Sequence, residues 1–337
     1  MIELAITKLT SKQDLTSEEM QASMQEIMEN KVSHEKIKIF LLGLRDKGET
    51  VDEITAAVIV LRKLMIPVNV NCKNLIDLVG TGGDQIHTFN ISTASSFVAA
   101  AAGCHVAKHG NYGVSSKSGS ANVLETAGIN LNLSLEKVVN NINNIRIGFL
   151  FAPNYHKAMK YVASARKELG VRTIFNLLGP LINPTNPPNI FVGAYDKKWQ
   201  QPFAKVLKQL HSEHALIVHS EDGMDEISIS ASTHIVELHH STIKEYNIHP
   251  TQFGFKLSEI KTIQVDGPQQ SLAIIQSVFD NQAIPARDIV ALNAGAAIYT
   301  AGLAKDIAEG IQKALTVIAN GKAKQKWQQF IAASKLP

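Results

Sequence analysis

Two loops rich in glycine and serine, each lying between a short apolar run and a helical pattern, constrain the fold of this chain most. The first loop, residues 80–84, follows the apolar run 75–79, and the second, residues 108–120, follows the run 105–108. From residue 73 onward, apolar runs of this kind alternate with helical patterns. The alternation predicts an α/β fold with a central mixed sheet and a ligand site at the carboxyl ends of its strands.

The same pattern places the other elements of this part of the chain. Further strands are predicted at residues 147–151, 190–195, 215–219 and 226–230. Helices are predicted at residues 92–102, 155–169 and 199–211. A further helix is predicted to start near residue 121, and most of residues 257–335 is predicted to be helical. The proline-rich stretch 180–188 is interpreted as a rigid connector between two domains.

The first 66 residues contain helical patterns only. Two capping boxes, Thr16-x-x-Glu19 and Thr50-x-x-Glu53, mark helix starts there. We therefore predict a small all-α domain over residues 1–70 and a large α/β domain over residues 71–337. The apolar faces of the N-terminal helices fit either internal packing or a dimer surface, and their sequence alone favours internal packing.

Composition narrows the function classes. The 337 residues carry 33 Lys and Arg against 30 Asp and Glu, a net charge of +3 that offers no basic surface for nucleic acid. The longest stretch of small apolar residues, 97–102, is too short to cross a membrane, and the N-terminus lacks the apolar core of a signal peptide. We expect a cytoplasmic protein with no membrane partner and no nucleic-acid partner.

The first loop has the chemistry of an anion site. Its glycines permit positive φ and a close backbone approach, so that N–H groups can face a ligand. Gln85 replaces the third glycine of the dinucleotide fingerprint, and the P-loop lysine is absent. A plain strand-to-helix turn is the alternative. Four short polar residues at the start of the next helix favour phosphate binding: Thr88, Asn90, Ser92 and Thr93.

The second loop adds cations and hydroxyl groups. It contains three glycines, four serines and the lysines Lys108 and Lys117. Lysine supplies a compact counter-charge for phosphate, and serine supplies directed hydrogen bonds. A solvated loop is the alternative here. Because two such loops follow two strands, we predict a substrate with more than one phosphate group.

An adjacent pair of acids forms the third motif. Asp225 and Glu226 are costly to place side by side unless a cation compensates them, and Mg²⁺ prefers oxygen ligands. A solvent-facing acidic turn would also explain the pair. Near a polyphosphate site, however, the pair predicts bound magnesium.

These motifs combine into strings that closely resemble the anthranilate phosphoribosyltransferases, which join anthranilate to phosphoribosyl pyrophosphate (PRPP) in tryptophan biosynthesis. The matching strings lie in the family's order between residues 77 and 228: DLVGTGGD, HTFNISTA, KHGN, VSSKSGSA, IGFLFAP, RKELGVRTIFNLLGPLINP and GMDEIS. The resemblance implies a small helical domain beside a large α/β domain, the fold shared with pyrimidine nucleoside phosphorylases. It also implies a homodimer formed through the helical domain, with a contribution from about residues 170–190.

The resemblance further implies the roles of individual residues. It assigns PRPP contacts in the first loop to Gly80, Gly83, Asp84, Thr88, Asn90, Ile91, Ser92 and Thr93. In the second loop it assigns them to Lys108, His109, Gly110, Asn111, Tyr112, Gly113, Val114, Ser115, Ser116 and Ser120. It assigns anthranilate contacts to Gly80, Asn111 and Arg166. It also implies two Mg²⁺ ions per monomer, with Ser92, Asp225 and Glu226 as their ligands.

Several points stay open at the level of sequence. Tyr112 replaces an arginine that is usual in the family, Asn122 replaces an aspartate, and Lys157 replaces a proline. His109 and His156 are weak candidates for catalysis, with a structural role at least as well favoured. Two other functions share the scaffold, a pyrimidine nucleoside phosphorylase and a non-catalytic nucleic-acid binder. Association with anthranilate synthase components is also left open.

Overall fold

The N-terminal part of the chain is a bundle of four helices. The computed structural model describes residues 1–113 and 117–335. The bundle contains α1 (Ile2–Thr10), α2 (Ser17–Met28), α3 (His34–Lys47) and α4 (Val51–Leu64). Both predicted capping boxes are present, because the threonine side chain accepts from the glutamate backbone N–H and the glutamate side chain accepts from the threonine N–H.

A seven-stranded mixed sheet follows the bundle. Its strands are β1 (Leu75–Gly80), β2 (His105–Gly110), β3 (Ile147–Phe151), β4 (Asn189–Gly193), β5 (His214–Ser220), β6 (Thr233–His239) and β7 (Thr242–Ile248). The spatial order is β3-β2-β1-β4-β5-β6-β7, with β1 to β5 parallel and the last two strands antiparallel. The predicted α/β class with a mixed sheet is confirmed.

The remaining helices cover both faces of the sheet. They are α5 (Ile91–Ala101), α6 (Ser120–Thr126), α7 (Leu135–Ile145), α8 (Ala152–Tyr155), α9 (Lys160–Leu169), α10 (Phe175–Leu178), α11 (Gln200–Gln209), α12 (Pro268–Phe279), α13 (Pro285–Thr300), α14 (Ile307–Ala319) and α15 (Lys322–Lys335). In the part of the chain that the structure describes, no helix has both the length and the apolar character needed to span a membrane.

Alternation along the central strands divides the core into two layers. Phe191 and Leu216 pack against the layer of α5, α13, α14 and α15, while Ile190, Val192 and Ile217 pack against the bundle with α9 and α11. Successive strand residues point to opposite faces, so strands buried on both sides are apolar at nearly every position. The N-terminal bundle thus shares a core with one face of the sheet.

Two predicted elements differ from the structure. The strand predicted at residues 226–230 is wrong: the backbone N–H of Ile227 bonds to Asn293 Oδ1 at 2.8 Å, and that of Ser228 bonds to Ser220 Oγ at 3.2 Å, instead of to a neighbouring strand. The sheet is completed instead by the β6–β7 hairpin. The helix predicted from residue 155 begins at Lys160, because His156 adopts φ −111° and ψ 59°, outside the helical region.

The proline-rich stretch 180–188 contacts the end of the helical bundle. Arg62 Nε on α4 donates to the carbonyl of Leu181 at 2.9 Å, and the backbone N–H of Val68 donates to the carbonyl of Pro184 at 3.0 Å. The proline-rich stretch therefore contacts both α4 and the segment that leads into the sheet. The predicted domain boundary at residue 70 falls within this irregular segment between α4 and β1, and it stays a prediction.

Candidate active site

Three loops meet at the sheet edge formed by the carboxyl ends of the parallel strands. Because β1 pairs in parallel with β2 and β4, and β4 with β5, the loops after these strands leave on the same side. Hydrogen bonds join the loops directly. Gly82 N donates to Asp225 Oδ2 at 3.1 Å, and Asn90 Nδ2 donates to the carbonyl of Ser118 at 3.0 Å. The two polar loops and the acidic pair thus surround one region.

The acidic pair lies in a cluster of three carboxylates. Burial raises the pKa of Asp225 to about 7, and the neighbouring charge of Asp84 adds to the rise. Burial, followed by the charge of Asp225, raises the pKa of Glu226 well above its usual range. Carboxylates that are desolvated together resist ionisation unless a cation compensates them.

Glu226 has an unused ligand atom in this cluster. The residue is only 8% exposed, and its Oε2 atom is buried with no hydrogen-bond partner in the described part of the chain. The Ser92 backbone also hydrogen-bonds to this carboxylate, so Ser92 lies beside it. A buried carboxylate oxygen without a partner is costly, and an oxygen-preferring cation such as Mg²⁺ would satisfy it. The donor set therefore fits magnesium.

Glycine is required where the acidic loop approaches β1. A Cβ atom at Gly80 would lie 2.7 Å from Asp225 Oδ2, and one at Gly193 would collide with the backbone of Asp225. Only the absence of a side chain lets the backbone and the carboxylate come this close. The glycine of the first predicted loop thus fixes the position of the acidic pair.

Lys108 is buried beneath the site. Its Nζ donates to the carbonyl of Leu78 at 2.6 Å and to Ser92 Oγ at 3.2 Å. Burial lowers the pKa of this lysine, and the nearby carboxylates of Asp77 and Glu226 oppose that effect. The lysine thus lies against the same carboxylate and serine that could bind the metal.

Asp77 is a residue that the sequence analysis missed. It is fully buried on β1, where Oδ1 accepts from the backbone N–H of His109 at 3.1 Å and Oδ2 accepts from Asn183 Nδ2 at 2.7 Å. Burial raises its pKa to about 6, although the charge of Lys108 acts against the rise. An acid in the middle of an apolar strand was the signal that could have identified it.

Asn90 connects the two polar loops at the start of α5. Its Oδ1 accepts from Ser118 Oγ at 2.8 Å and from Ser271 Oγ at 2.7 Å. Thr88 pairs with Gln264 in an isolated bridge just before this point, and the Thr93 hydroxyl is buried without a partner among the described residues. Of the short polar residues predicted at the helix start, Asn90 thus joins the second loop to α5 and α12.

Asn122, which departs from the family pattern, holds two glycines of the second loop. Asn122 Oδ1 accepts from the backbone N–H groups of Gly113 and Gly119, each at 3.0 Å. Tyr112 donates its hydroxyl to Glu125 Oε1 at 2.7 Å. Lys117, predicted to face phosphate, forms an ion pair with Asp266 at 2.6 Å. The predicted contacts Val114, Ser115 and Ser116 lie outside the described residues.

The two candidate histidines form a buried pair. The ring centroids of His109 and His156 are 5.1 Å apart, and His109 Nδ1 lies 3.3 Å from the carbonyl of Gly179. Burial lowers the pKa of His109 to about 3 and that of His156 to about 4, so both rings are neutral near pH 7. Both Nε2 atoms are buried without a hydrogen-bond partner in residues 1–113 and 117–335.

The residues predicted to contact anthranilate are not joined to one another by a described hydrogen bond. The guanidinium of Arg166 lies 5.4 Å from the ring centroid of Phe175, and burial lowers its pKa. Among the described residues Arg166 has no carboxylate partner. Asn111 is exposed, with its carbonyl accepting from Ala121 N at 3.2 Å.

Arg172, in the segment before α10, contacts the first loop. Its guanidinium donates to the carbonyl of Gly83 and lies 3.9 Å from the ring centroid of Tyr195. A Cβ atom at Gly83 would come within 3.0 Å of the same guanidinium, and φ there is +87°. Arg172 therefore positions the glycine-rich loop, a role that the sequence pattern did not indicate.

Comparison with known proteins shows what the chain is similar to. A glycosyl transferase family model for an a/b domain matches residues 72–324, and its helical bundle counterpart matches residues 4–65. The anthranilate phosphoribosyltransferase of Marinomonas sp. (strain MWYL1) is 51% identical over 336 residues, covering 99% of this chain and 97% of the relative. The one from Methylococcus capsulatus is 49% identical, with 97% and 96% covered.

Solved structures resemble the whole chain as well. The crystal structure of anthranilate phosphoribosyltransferase from Thermus thermophilus superposes with a TM-score of 0.93 at 36% identity, covering 98% of this chain and 99% of that one. The enzyme from Saccharomyces cerevisiae in complex with PRPP and Mg gives a TM-score of 0.90 at 25% identity, with 99% and 97% covered.

The carboxylate cluster predicts an unusual effect of pH on stability. The Asp225 carboxyl has its pKa raised from 3.8 to about 7, so the native state keeps this proton after the unfolded chain has lost it. Its stabilising contribution is complete below about pH 4 and disappears as pH rises to about 7. In metal-free protein, Asp225→Asn should therefore gain stability over the wild type as pH rises across this window.

Urea unfolding in a chelating buffer at several pH values measures this difference. Glu136→Gln, at an exposed carboxylate on α7, is the matched control and should follow the wild type at every pH. Saturating Mg²⁺ should stabilise the wild type and reduce the advantage of Asp225→Asn. Parallel pH profiles for wild type and Asp225→Asn would contradict a desolvated acidic cluster.

Proposed function

We infer the activity of this chain from its family, because the chain belongs to the anthranilate phosphoribosyltransferases. It transfers the phosphoribosyl group of PRPP to the amine of anthranilate, giving N-(5-phosphoribosyl)anthranilate and pyrophosphate in tryptophan biosynthesis. The observation that best carries this conclusion within the molecule is the carboxylate cluster beside two phosphate-type loops. Such a combination suits a polyphosphate bound with magnesium.

Magnesium would be held by Ser92, Asp225 and Glu226. The unpartnered Oε2 of Glu226 supports this assignment, as does the position of Ser92 beside that carboxylate. When bound, Mg²⁺ offsets the negative charge of the pyrophosphate group. We propose that each chain binds two Mg²⁺ ions, and that Asp84 supplies a further oxygen ligand to them. Calorimetric titration of Mg²⁺ in the presence of PRPP measures that number.

The two loops would bind the phosphate groups through backbone N–H groups and short side chains. Gly80, Gly83 and the residues from Asn90 to Thr93 offer such groups where α5 begins, and the helix dipole adds favourable charge. The second loop, including Gly110, Gly113 and Ser120, would close on the other side. Because Asn90 already bonds to Ser118, closure of either loop is coupled to the start of α5.

The chemistry needs placement more than acid–base assistance. The anthranilate nitrogen attacks the anomeric carbon, the bond from that carbon to pyrophosphate breaks, and the nitrogen then loses a proton. An arylamine is neutral and requires no strong base before attack. The neutral His109 and His156 therefore fit as hydrogen-bonding groups near the substrate and not as proton donors. Placing the amine and holding the leaving group account for the catalysis.

Arg166 would bind the anthranilate carboxylate. Its guanidinium is partly buried, and none of the described ion pairs includes it, so its charge remains available to a ligand. Arginine matches a carboxylate with two parallel hydrogen bonds. Gly80 and Asn111 would complete the anthranilate contacts.

Replacing Arg166 with alanine should raise the KM for anthranilate about 10- to 100-fold, since a hydrogen-bonded charge is lost, and should change the KM for PRPP much less. The loss of anthranilate fluorescence on adding PRPP and Mg²⁺ follows the reaction directly. Lys167→Ala removes an exposed charge from the next position on the same helix, and it should behave like the wild type. Unchanged KM values for both substrates in Arg166→Ala would overturn the carboxylate assignment.

We also propose that the helical bundle, residues 1–70, forms a homodimer interface together with residues near 170–190. Large apolar side chains are exposed on these segments, with Leu4 47%, Ile39 49% and Val171 42% accessible. The ion pair between Glu3 and Lys36 shows that the outer sides of α1 and α3 adjoin. Exposed apolar groups on adjoining helices are typical of a surface covered by a second copy.

Sedimentation analysis should therefore give about twice the chain mass of 36.7 kDa. Ile39→Glu should shift the protein towards the monomer, because a charge would be buried between the two copies. Leu257→Glu is the matched control, since Leu257 is equally exposed, at 52%, but lies outside the bundle. A monomeric wild type, or an effect of Leu257→Glu equal to that of Ile39→Glu, would exclude this interface.

The cytoplasmic location and the association with anthranilate synthase components stay predictions. Cell fractionation tests the first. Co-purification of this chain with the anthranilate synthase subunits of its own cell tests the second.

A further inference from the structure

A second group of metal-ligating side chains lies at the opposite end of the sheet from the active site. His214 begins β5, and Glu237 and His239 lie near the end of the antiparallel strand β6. The length of β5, seven residues, separates this end from the active-site edge by about 20 Å. One ligand atom from each of the three residues lies within 4.8 Å of the others. The group is therefore separate from the carboxylate cluster described above.

Two members of the group are buried. His214 is 5% exposed and Glu237 is 7% exposed, and His214 Nε2 lies 2.8 Å from Glu237 Oε1. The His239 ring is exposed and stacks on His214, with 4.2 Å between the ring centroids. A buried imidazole and a buried carboxylate thus lie beside a third ligand that is exposed to solvent.

Glu237 is held in its charged form by its neighbours. Burial acts against its charge, but hydrogen bonds from His214, Tyr299 and Tyr246 outweigh it and lower the pKa to about 2. Tyr299 OH lies 2.7 Å from Glu237 Oε1. Carboxylates that bind metals are commonly oriented by such outer hydrogen bonds. The two tyrosines supply that support from α13 and β7.

The adjoining turn adds a local strain. His240 and Ser241 connect β6 to β7 with φ of 45° and 64°, values that favour glycine or asparagine. The His240 ring stacks on His239 with 4.3 Å between centroids. This turn is therefore conformationally unfavourable, and it places the imidazole of His240 next to the group.

We propose that His214, Glu237 and His239 form a binding site for a divalent transition metal, Zn²⁺ above all. Two imidazole nitrogens and one carboxylate oxygen are ligands that Zn²⁺ takes, with a water molecule in the fourth position. Tetrahedral bonds of about 2.0–2.1 Å require ligand atoms about 3.3 Å apart. The 2.8 Å between His214 Nε2 and Glu237 Oε1 must therefore lengthen slightly, and the His239 nitrogen, now within 4.8 Å, must take its place at a similar distance. His239 would adjust by turning its exposed ring within the stack, and the ion would take the place of the hydrogen between His214 and Glu237.

A similar group between α3 and α9 lacks these properties. His34, Glu35 and Glu168 also bring three ligand atoms together, but the two acids are exposed. Lys38 forms ion pairs with both of them, so a cation already compensates their charge. The comparison favours the group on β5 and β6.

Calorimetric titration of the full-length, metal-depleted protein with Zn²⁺ tests the proposal. Saturating Mg²⁺ is present throughout, so that the active-site carboxylates are occupied. We expect one Zn²⁺ per chain in the wild type and an affinity reduced about tenfold or more in His239→Ala. His249→Ala is the control, because His249 follows the other end of the hairpin, and it should bind as the wild type does.

Two further measurements distinguish a metal site at these residues from zinc bound elsewhere on the chain. Lys244 lies opposite Glu237 in the β6–β7 register, so Lys244→Gln should strengthen Zn²⁺ binding about threefold by removing a nearby positive charge. Co²⁺ in place of Zn²⁺ should give visible absorption bands that His239→Ala removes and that persist in Asp225→Asn. The anthranilate transfer rate of His239→Ala should equal that of the wild type.

Absence of Zn²⁺ binding in the presence of Mg²⁺ would overturn the proposal. Equal Zn²⁺ affinity in the wild type and His239→Ala would overturn it too, and would leave the group as a hydrogen-bonded network between β5, β6 and α13. Both outcomes are independent of the anthranilate reaction, which is measured separately.

Discussion

The close contact between the acidic loop and the backbone of β1 determines the arrangement of the site. Asp225 accepts from Gly82 N, its carboxylate fits against Gly80, and its backbone fits against Gly193, because neither glycine has a side chain. This contact joins the loop after β5 to the loop after β1 across the intervening β4. It also desolvates the carboxylates, which is why the pKa values of Asp225 and Glu226 are raised. Geometry and charge at the site have the same origin.

A buried charge network supports that contact from below. Lys108 lies between Asp77 and Glu226, and Asn183 holds Asp77 from the proline-rich stretch. Such groups are costly to bury unless each has its partners, and breaking one pair leaves a charge uncompensated. The network links the Glu226 carboxylate to the segment that contacts α4. The helical bundle and the α/β layer are therefore connected through residues that also position the site.

Much of this could be predicted from the sequence, because strand–loop–helix alternation and capping residues are local signals. The mixed sheet, the two capping boxes and the loops at the strand ends followed from such patterns. Asp77 was missed, since its role depends on contacts with Lys108 and Asn183, far away in the chain. The β6–β7 hairpin was missed because its turn is His240-Ser241 in place of the usual Asn-Gly. The strand predicted at 226–230 failed because side chains, not a neighbouring strand, bind its backbone.

The most direct test of the central claim, that the buried acidic pair holds the magnesium of a PRPP site, is a Mg²⁺ titration of turnover in Asp225→Asn/Glu226→Gln. Anthranilate fluorescence reports the rate, and circular dichroism reports whether the fold is retained. We expect a folded protein whose Mg²⁺-dependent turnover is largely lost at every Mg²⁺ concentration, because the ligand oxygens lose their charge. Near-normal turnover of this variant across the titration would contradict the claim.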